Sequence, residues 1–157
     1  MQLSEHFSLA QLIASETADA RGIDNTPPVE LLHNLQRLAA GLEQIRALIG
    51  CELEISSGYR GPSLNRAVGG TEGSQHMRGE AADFSAAAFG TPLEVCRAIA
   101  ASSIAFDQLI HEYGDKPSGG WVHVSFSAEP RRRVLTICVG DREYRDGLID
   151  CRALRKL

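Results

Sequence analysis

The densest polar run in this chain is Ser74-Gln75-His76-Met77-Arg78-Gly79-Glu80-Ala81-Ala82-Asp83, which ends in a carboxylate entering an apolar stretch. An ionised Asp83 between Ala82 and Phe84 is costly to bury unless a cation or a metal compensates it. A second histidine, His123, is embedded in Trp121-Val122-His123-Val124-Ser125, which has the texture of a strand. Two imidazoles and one carboxylate make a usual three-ligand zinc set, with a fourth position left for water. Taken singly, each residue has an ordinary structural reading as well: a strand histidine is commonly a hydrogen-bonded core residue, and an Asp at a strand edge is commonly a cap. Spacing alone leaves both readings open. The chain has no His-Glu-x-x-His helix motif, no glycine-rich phosphate loop after a strand and no Gly-x-Ser-x-Gly turn, which removes the commonest rival enzymes.

Positioning these residues requires a scaffold, and the hydrophobic spacing outlines one. Ser8-Leu9-Ala10-Gln11 has the form of a capping box and predicts a short helix running to about Ala18. Thr26-Pro27-Pro28 reads as a cap with proline at a tolerated early position. Leu31, Leu35, Leu38, Leu42 and Ile45 then recur at helical spacing, so a long amphipathic helix is expected to end at Gly50. Leu53-Glu54-Ile55 alternates like a strand, Ser57 to Pro62 is rich in turn residues, and Leu64 to Val68 suits a helical turn. Ala81 to Phe84 predicts a short buried strand and Thr91-Pro92 opens a helix to about Ala101. Phe106 to Tyr113 and Trp121 to Phe126 predict a hairpin around Gly114 to Gly120, with a further strand at Val134 to Val139. Helices followed by a small, mostly antiparallel sheet give an α+β arrangement. At 157 residues and 43% apolar content, one folded unit spanning 1–157 is expected.

The formal net charge of −4 argues against nucleic-acid binding, which needs a clustered basic surface. Arg131-Arg132-Arg133 reads as a solvated hairpin edge or as a contact for an anionic polymer. No apolar stretch is long enough to cross a bilayer, and Met1-Gln2-Leu3-Ser4-Glu5-His6 lacks the plan of a secretory signal, so neither membrane insertion nor a secretion route is expected. Cys51, Cys96, Cys138 and Cys151 are widely spaced in mostly apolar surroundings and read as buried free thiols, although an even number leaves a disulfide open.

Ser74-x-His76-x-x-Gly79-x-Ala81-x-Asp83 followed by Trp121-Val122-His123-Val124 resembles the zinc D-alanyl-D-alanine carboxypeptidases, a group that includes vancomycin-resistance dipeptidases and phage endolysin peptidases. Ser56-Ser57-Gly58-Tyr59-Arg60 resembles that family's Ser-Gly-Tyr-Arg segment. The resemblance implies the fold shared with the hedgehog signalling domain, a single zinc ion on His76, Asp83 and His123, and hydrolysis of peptidoglycan stem peptides. The bond would be either D-Ala-D-Ala or L-Ala-D-Glu. It further implies that Arg60 steadies an oxyanion and that Ser74, Gln75 and Tyr59 contact substrate. The ordinary alternatives are a loop arginine paired with a surface acid and a serine closing a turn. A monomer is expected, either cytoplasmic in the producing cell or associated with a phage or prophage and released to the wall. A zinc-bearing module of the same fold without catalysis is the alternative function.

The resemblance fails at one position. Members of the family place an acid three residues before the last histidine ligand, where this chain has Gly120. Glu112 is the expected replacement as general base: an odd sum of paired residue numbers across the hairpin puts Glu112 and His123 on one face. A one-residue slip would present His111 instead.

Overall fold

The computed structural model describes residues 1–157. In chain order its elements are α1 (Leu9–Ile13), α2 (Glu16–Arg21), α3 (Leu32–Ile49), β1 (Glu54–Ser57), α4 (Pro62–Ala67), β2 (Ala81–Ser85), α5 (Pro92–Ala100), β3 (Gln108–Glu112), β4 (Trp121–Ser125), β5 (Arg133–Ile137), β6 (Arg145–Asp146) and α6 (Cys151–Leu154). Short 3-10 turns at Val29–Leu31 and Gln75–Arg78 precede α3 and β2. The strands form one sheet in the order β1-β2-β4-β3-β5-β6, so the α+β class holds. All neighbours are antiparallel except β3 and β5, which run parallel. No helix is long and apolar enough to cross a membrane.

One face of the sheet is covered by helices. The α3 stripe buries Leu35, Leu38, Leu42 and Ile45, and α5 buries Val95, Cys96 and Ile99. They pack with Phe84 of β2, Leu109 of β3 and Val122 and Val124 of β4 in a single apolar cluster. Each fully buried Leu or Val in it contributes roughly 1.5–3 kcal/mol. Alternation along a strand turns the remaining residues of β2, β3 and β4 to the opposite face. Asp83, Ile110, Glu112 and His123 are among them, and they line an open cleft.

Several boundaries depart from the sequence reading. The first helix is broken in two, because the Ser15 hydroxyl accepts the Ala18 N–H and starts α2 afresh. The long helix begins at Leu32, without a side-chain cap from Thr26, and its C-cap Gly50 is left-handed with φ 70° as the Gly50 stop requires.

The arginine run is not the edge of a hairpin. Arg131 is tied to Asp107, and Arg132 folds back onto the carbonyls of Ser102 and Ile104 with its guanidinium over the Phe106 ring. Arg133 opens β5, which joins β3 in parallel. The thiol expectation needs correction too: Cys138 and Cys151 form a disulfide with Cα atoms 5.6 Å apart, while Cys51 and Cys96 are free. The bond fastens α6 to the end of β5, and Arg155 adds an ion pair to Asp115.

Candidate metal centre and cleft

His76 stands in the 3-10 turn, which Ser74 caps by accepting the His76 N–H at 3.3 Å. Its Nδ1 lies 2.7 Å from the Gly58 carbonyl. A carbonyl only accepts, so Nδ1 carries the proton and Nε2 keeps a free lone pair. That Nε2 is 3.3 Å from Asp83 Oδ1, and the same oxygen is 2.9 Å from His123 Nδ1. The register places Asp83 opposite His123 across β2 and β4. One ligand atom from each of the three residues lies within 4.8 Å of the others, and the two rings meet edge to face at 5.1 Å between centroids. Two neutral-capable imidazoles and one carboxylate, mostly buried and opening on a cleft, suit a divalent metal ion with a position to spare.

The electrostatics of the cluster fit that use. Burial holds His76 below its ordinary range, which favours the neutral form a metal needs. Burial alone would raise Asp83, but His76 and His123 hold it far below the usual carboxylate range. Burial opposes a charge on His123, yet the bond to Asp83 and the charges of Asp83 and Glu112 keep it raised. A cation is wanted between these groups.

Glu112 approaches from β3. The hairpin pairs Glu112 with Trp121 and Ile110 with His123, an odd sum, so Glu112 and His123 share the cleft face at 3.7 Å. Burial pushes Glu112 up to about 7; His123 opposes that rise, Asp83 adds to it, and Arg60 and Trp121 oppose it. A buried carboxyl beside the cluster is placed to take and return a proton.

His111 is on the other face of β3, almost fully buried, away from the cleft and from Asp83 and His123. Gly120 has φ 73°, and a Cβ there would collide with the backbone of Glu112 and Tyr113. An acidic side chain therefore has no room at that position, and the neighbouring strand supplies the only carboxylate close to His123 besides Asp83.

The remaining sequence candidates are distributed unevenly. Arg60 lines the cleft, with its guanidinium 3.5 Å from Ser74 Oγ and its Nε buried without a partner. Burial lowers its pKa while Asp83 and Glu112 counteract that. Gln75 also lines the cleft, but its amide N–H groups are committed to Asp107 at 2.8 Å and Glu80 at 3.3 Å.

Tyr59 does not reach this cleft, contrary to the expectation that it contacts substrate. It is buried in the apolar cluster, and its backbone N–H donates to the Leu12 carbonyl at 2.6 Å. The same close approach explains Gly58, where a Cβ would collide with Leu12.

Two contributors were not singled out from sequence. Asp107, only 2% exposed, accepts from Arg131, from the Arg131 backbone and from Gln75, and so holds both sides of the cleft's far end. The argument that flagged Asp83, a carboxylate beside an apolar strand, applies equally to Phe106-Asp107-Gln108. Tyr144 also lines the cleft, and no local pattern marks it; Arg133, known from sequence only as part of the basic run, lines it too.

A family model described as Peptidase M15 matches residues 5–125 of the chain. No curated protein matches it.

Proposed function

This chain belongs to the Peptidase M15 family, and from that premise we propose that it is a zinc-dependent peptidase acting on peptidoglycan stem peptides as a monomer. The observation that carries the reading is the convergence of ligand atoms from His76, Asp83 and His123 within 4.8 Å, with Glu112 3.7 Å from His123 in an open cleft of about 740 Å³. The wall peptide as substrate follows from the resemblance of the Ser-Gly-Tyr-Arg and Ser-x-His segments to enzymes of that class. The Cys138–Cys151 disulfide supports a place of action outside a reducing cytoplasm.

When bound, zinc supplies Lewis acidity to a peptide carbonyl and to water. His76 with its neutral nitrogen, His123 on giving up its proton to the metal, and Asp83 with one oxygen would hold it. Glu112 takes a proton from the attacking water and returns it to the leaving amine, so both proton transfers fall on one carboxylate. Arg60 donates toward the oxygen on which negative charge develops, and Ser74 orients that guanidinium.

Mass spectrometry of wall fragments after digestion with zinc-loaded protein tests the reading and reports the bond cut. New stem-peptide termini, lost on chelation and restored by zinc, are expected. Stoichiometric zinc without cleavage of any wall peptide would instead mark a binding module of the same fold.

A further inference from the structure

The cleft extends beyond the residues that define the family match. Its β5 side is built by Arg133 and Leu135, with Tyr144 from the following loop, all after residue 125. Four arginines line the cleft, and they are not equivalent. Arg60 faces Asp83 and Glu112, Arg78 pairs with Glu80 at 3.1 Å, and Arg131 grips Asp107 at 2.7 Å. Arg133 is exposed and has neither an ion pair nor a side-chain hydrogen bond. The unneutralised acids of the cleft, Asp83 and Glu112, both lie at the candidate metal, and Asp107 at the far end is already spent on Arg131. A chain of net charge −4 thus presents a free cation inside its own cleft.

The sheet register gives the spacing. Ile110 is paired with His123 on one side and Leu135 on the other, while Arg133 sits one row along, opposite Gln108. Two interstrand steps and two residues of strand rise put the Cα atoms of His123 and Arg133 about 12 Å apart. The candidate metal lies on the Asp83 side of His123, a little farther from β5, and an extended arginine covers roughly half of the distance, leaving about two to three residues of extended peptide between its guanidinium and the metal. Leu135 provides an apolar floor between them.

On the basis of the peptidase reading, we propose that Arg133 is a specificity-determining residue: it selects substrates carrying a free carboxylate about two to three residues from the cleaved bond. A guanidinium suits that role because it matches a carboxylate with two parallel N–H donors. The carboxylate can be the peptide's C-terminus or an acidic side chain within the stem.

The test is steady-state cleavage, by zinc-loaded protein, of a synthetic stem peptide as free acid and in versions with each carboxylate singly amidated. Wild type, Arg133→Gln and Arg133→Lys are compared. Amidation of one carboxylate is expected to raise KM about 10-fold in wild type with little change in kcat. The position of that carboxylate separates the two sources. Arg133→Gln should show the same rise on the free acid and no further response to amidation, and Arg133→Lys should recover part of the loss.

Equal kcat/KM for wild type and Arg133→Gln on the free acid, or undiminished discrimination in that variant, would overturn the assignment. If wild type cleaves no peptide, the peptidase reading fails by itself. Calorimetric binding of the free-acid peptide to wild type and Arg133→Gln then still decides the role of Arg133, equal affinities overturning it.

Discussion

On the cleft face of β3, Glu112 lies 3.7 Å from His123 with Arg60 and Asp83 around it; one residue earlier, on the helix-packed face, His111 is 3% exposed and its ring has no charged partner in contact. Both side chains have lost water. On the cleft face the loss is answered by charges of both signs, so that an ionisable group stays usable. On the packed face it is answered by neutrality: burial holds His111 below its ordinary range, with the backbone at Ile149 and Gly119 and the charge of Asp150 acting the other way and Arg97 of α5 acting with burial. Strand alternation alone assigns the two residues to these environments. Burial of a titratable group therefore does not identify a site; the company it keeps does.

The strongest way to break the contrast is at the shared oxygen of the cleft face. Asp83→Asn removes the charge that both imidazoles approach, and metal affinity is expected to fall at least about 100-fold, with loss of turnover, as read by metal titration and peptide cleavage. A variant that keeps zinc at wild-type affinity would refute the ligand assignment.

Next comes the pair itself. Glu112→Gln should retain metal while kcat drops by about 10²–10⁴-fold, whereas His111→Leu leaves kcat within a few-fold of wild type. The opposite ranking would transfer the proton-handling role across the strand.

The smallest effect sharpens the packed face. A depressed histidine pKa means the folded state prefers the neutral ring, so the stabilising contribution is fully present above the unfolded value near 6.5 and is lost as pH falls below it. Thermal melts at pH 7.5 and 5.5 should show His111→Leu gaining on wild type by about 1 kcal/mol at the lower pH. An unchanged difference between the two pH values would remove His111 from the acid response.

Much of this arrangement was legible in the residues. The spacing from His76 to Asp83 and the strand around His123 pointed to the cluster, and strand periodicity distinguished Glu112 from His111 once a register was chosen. The helix stop at Gly50 was likewise local chemistry. What escaped the sequence depended on distant partners. Ser15 breaks the first helix through a cap that competes with an equally plausible continuation. The parallel junction of β5 with β3 brings Arg133 beside the cleft, and no pattern within 131–137 announces a partner strand. Cys138 and Cys151 pair across a separation of 13 residues that carries no recognisable spacing. Tyr59 shares a motif with Arg60 but points into the core, because the Leu12 carbonyl fixes its backbone.

That last contact couples two remote parts of the chain. The five-residue helix α1 ends against the peptide unit whose other face, the Gly58 carbonyl, sets the tilt and tautomer of His76. The amino-terminal turn thus works as a doorstop behind a ligand more than sixty positions downstream. Because Phe7 and Leu12 of the same segment are buried in the apolar cluster, that doorstop is itself anchored by the core.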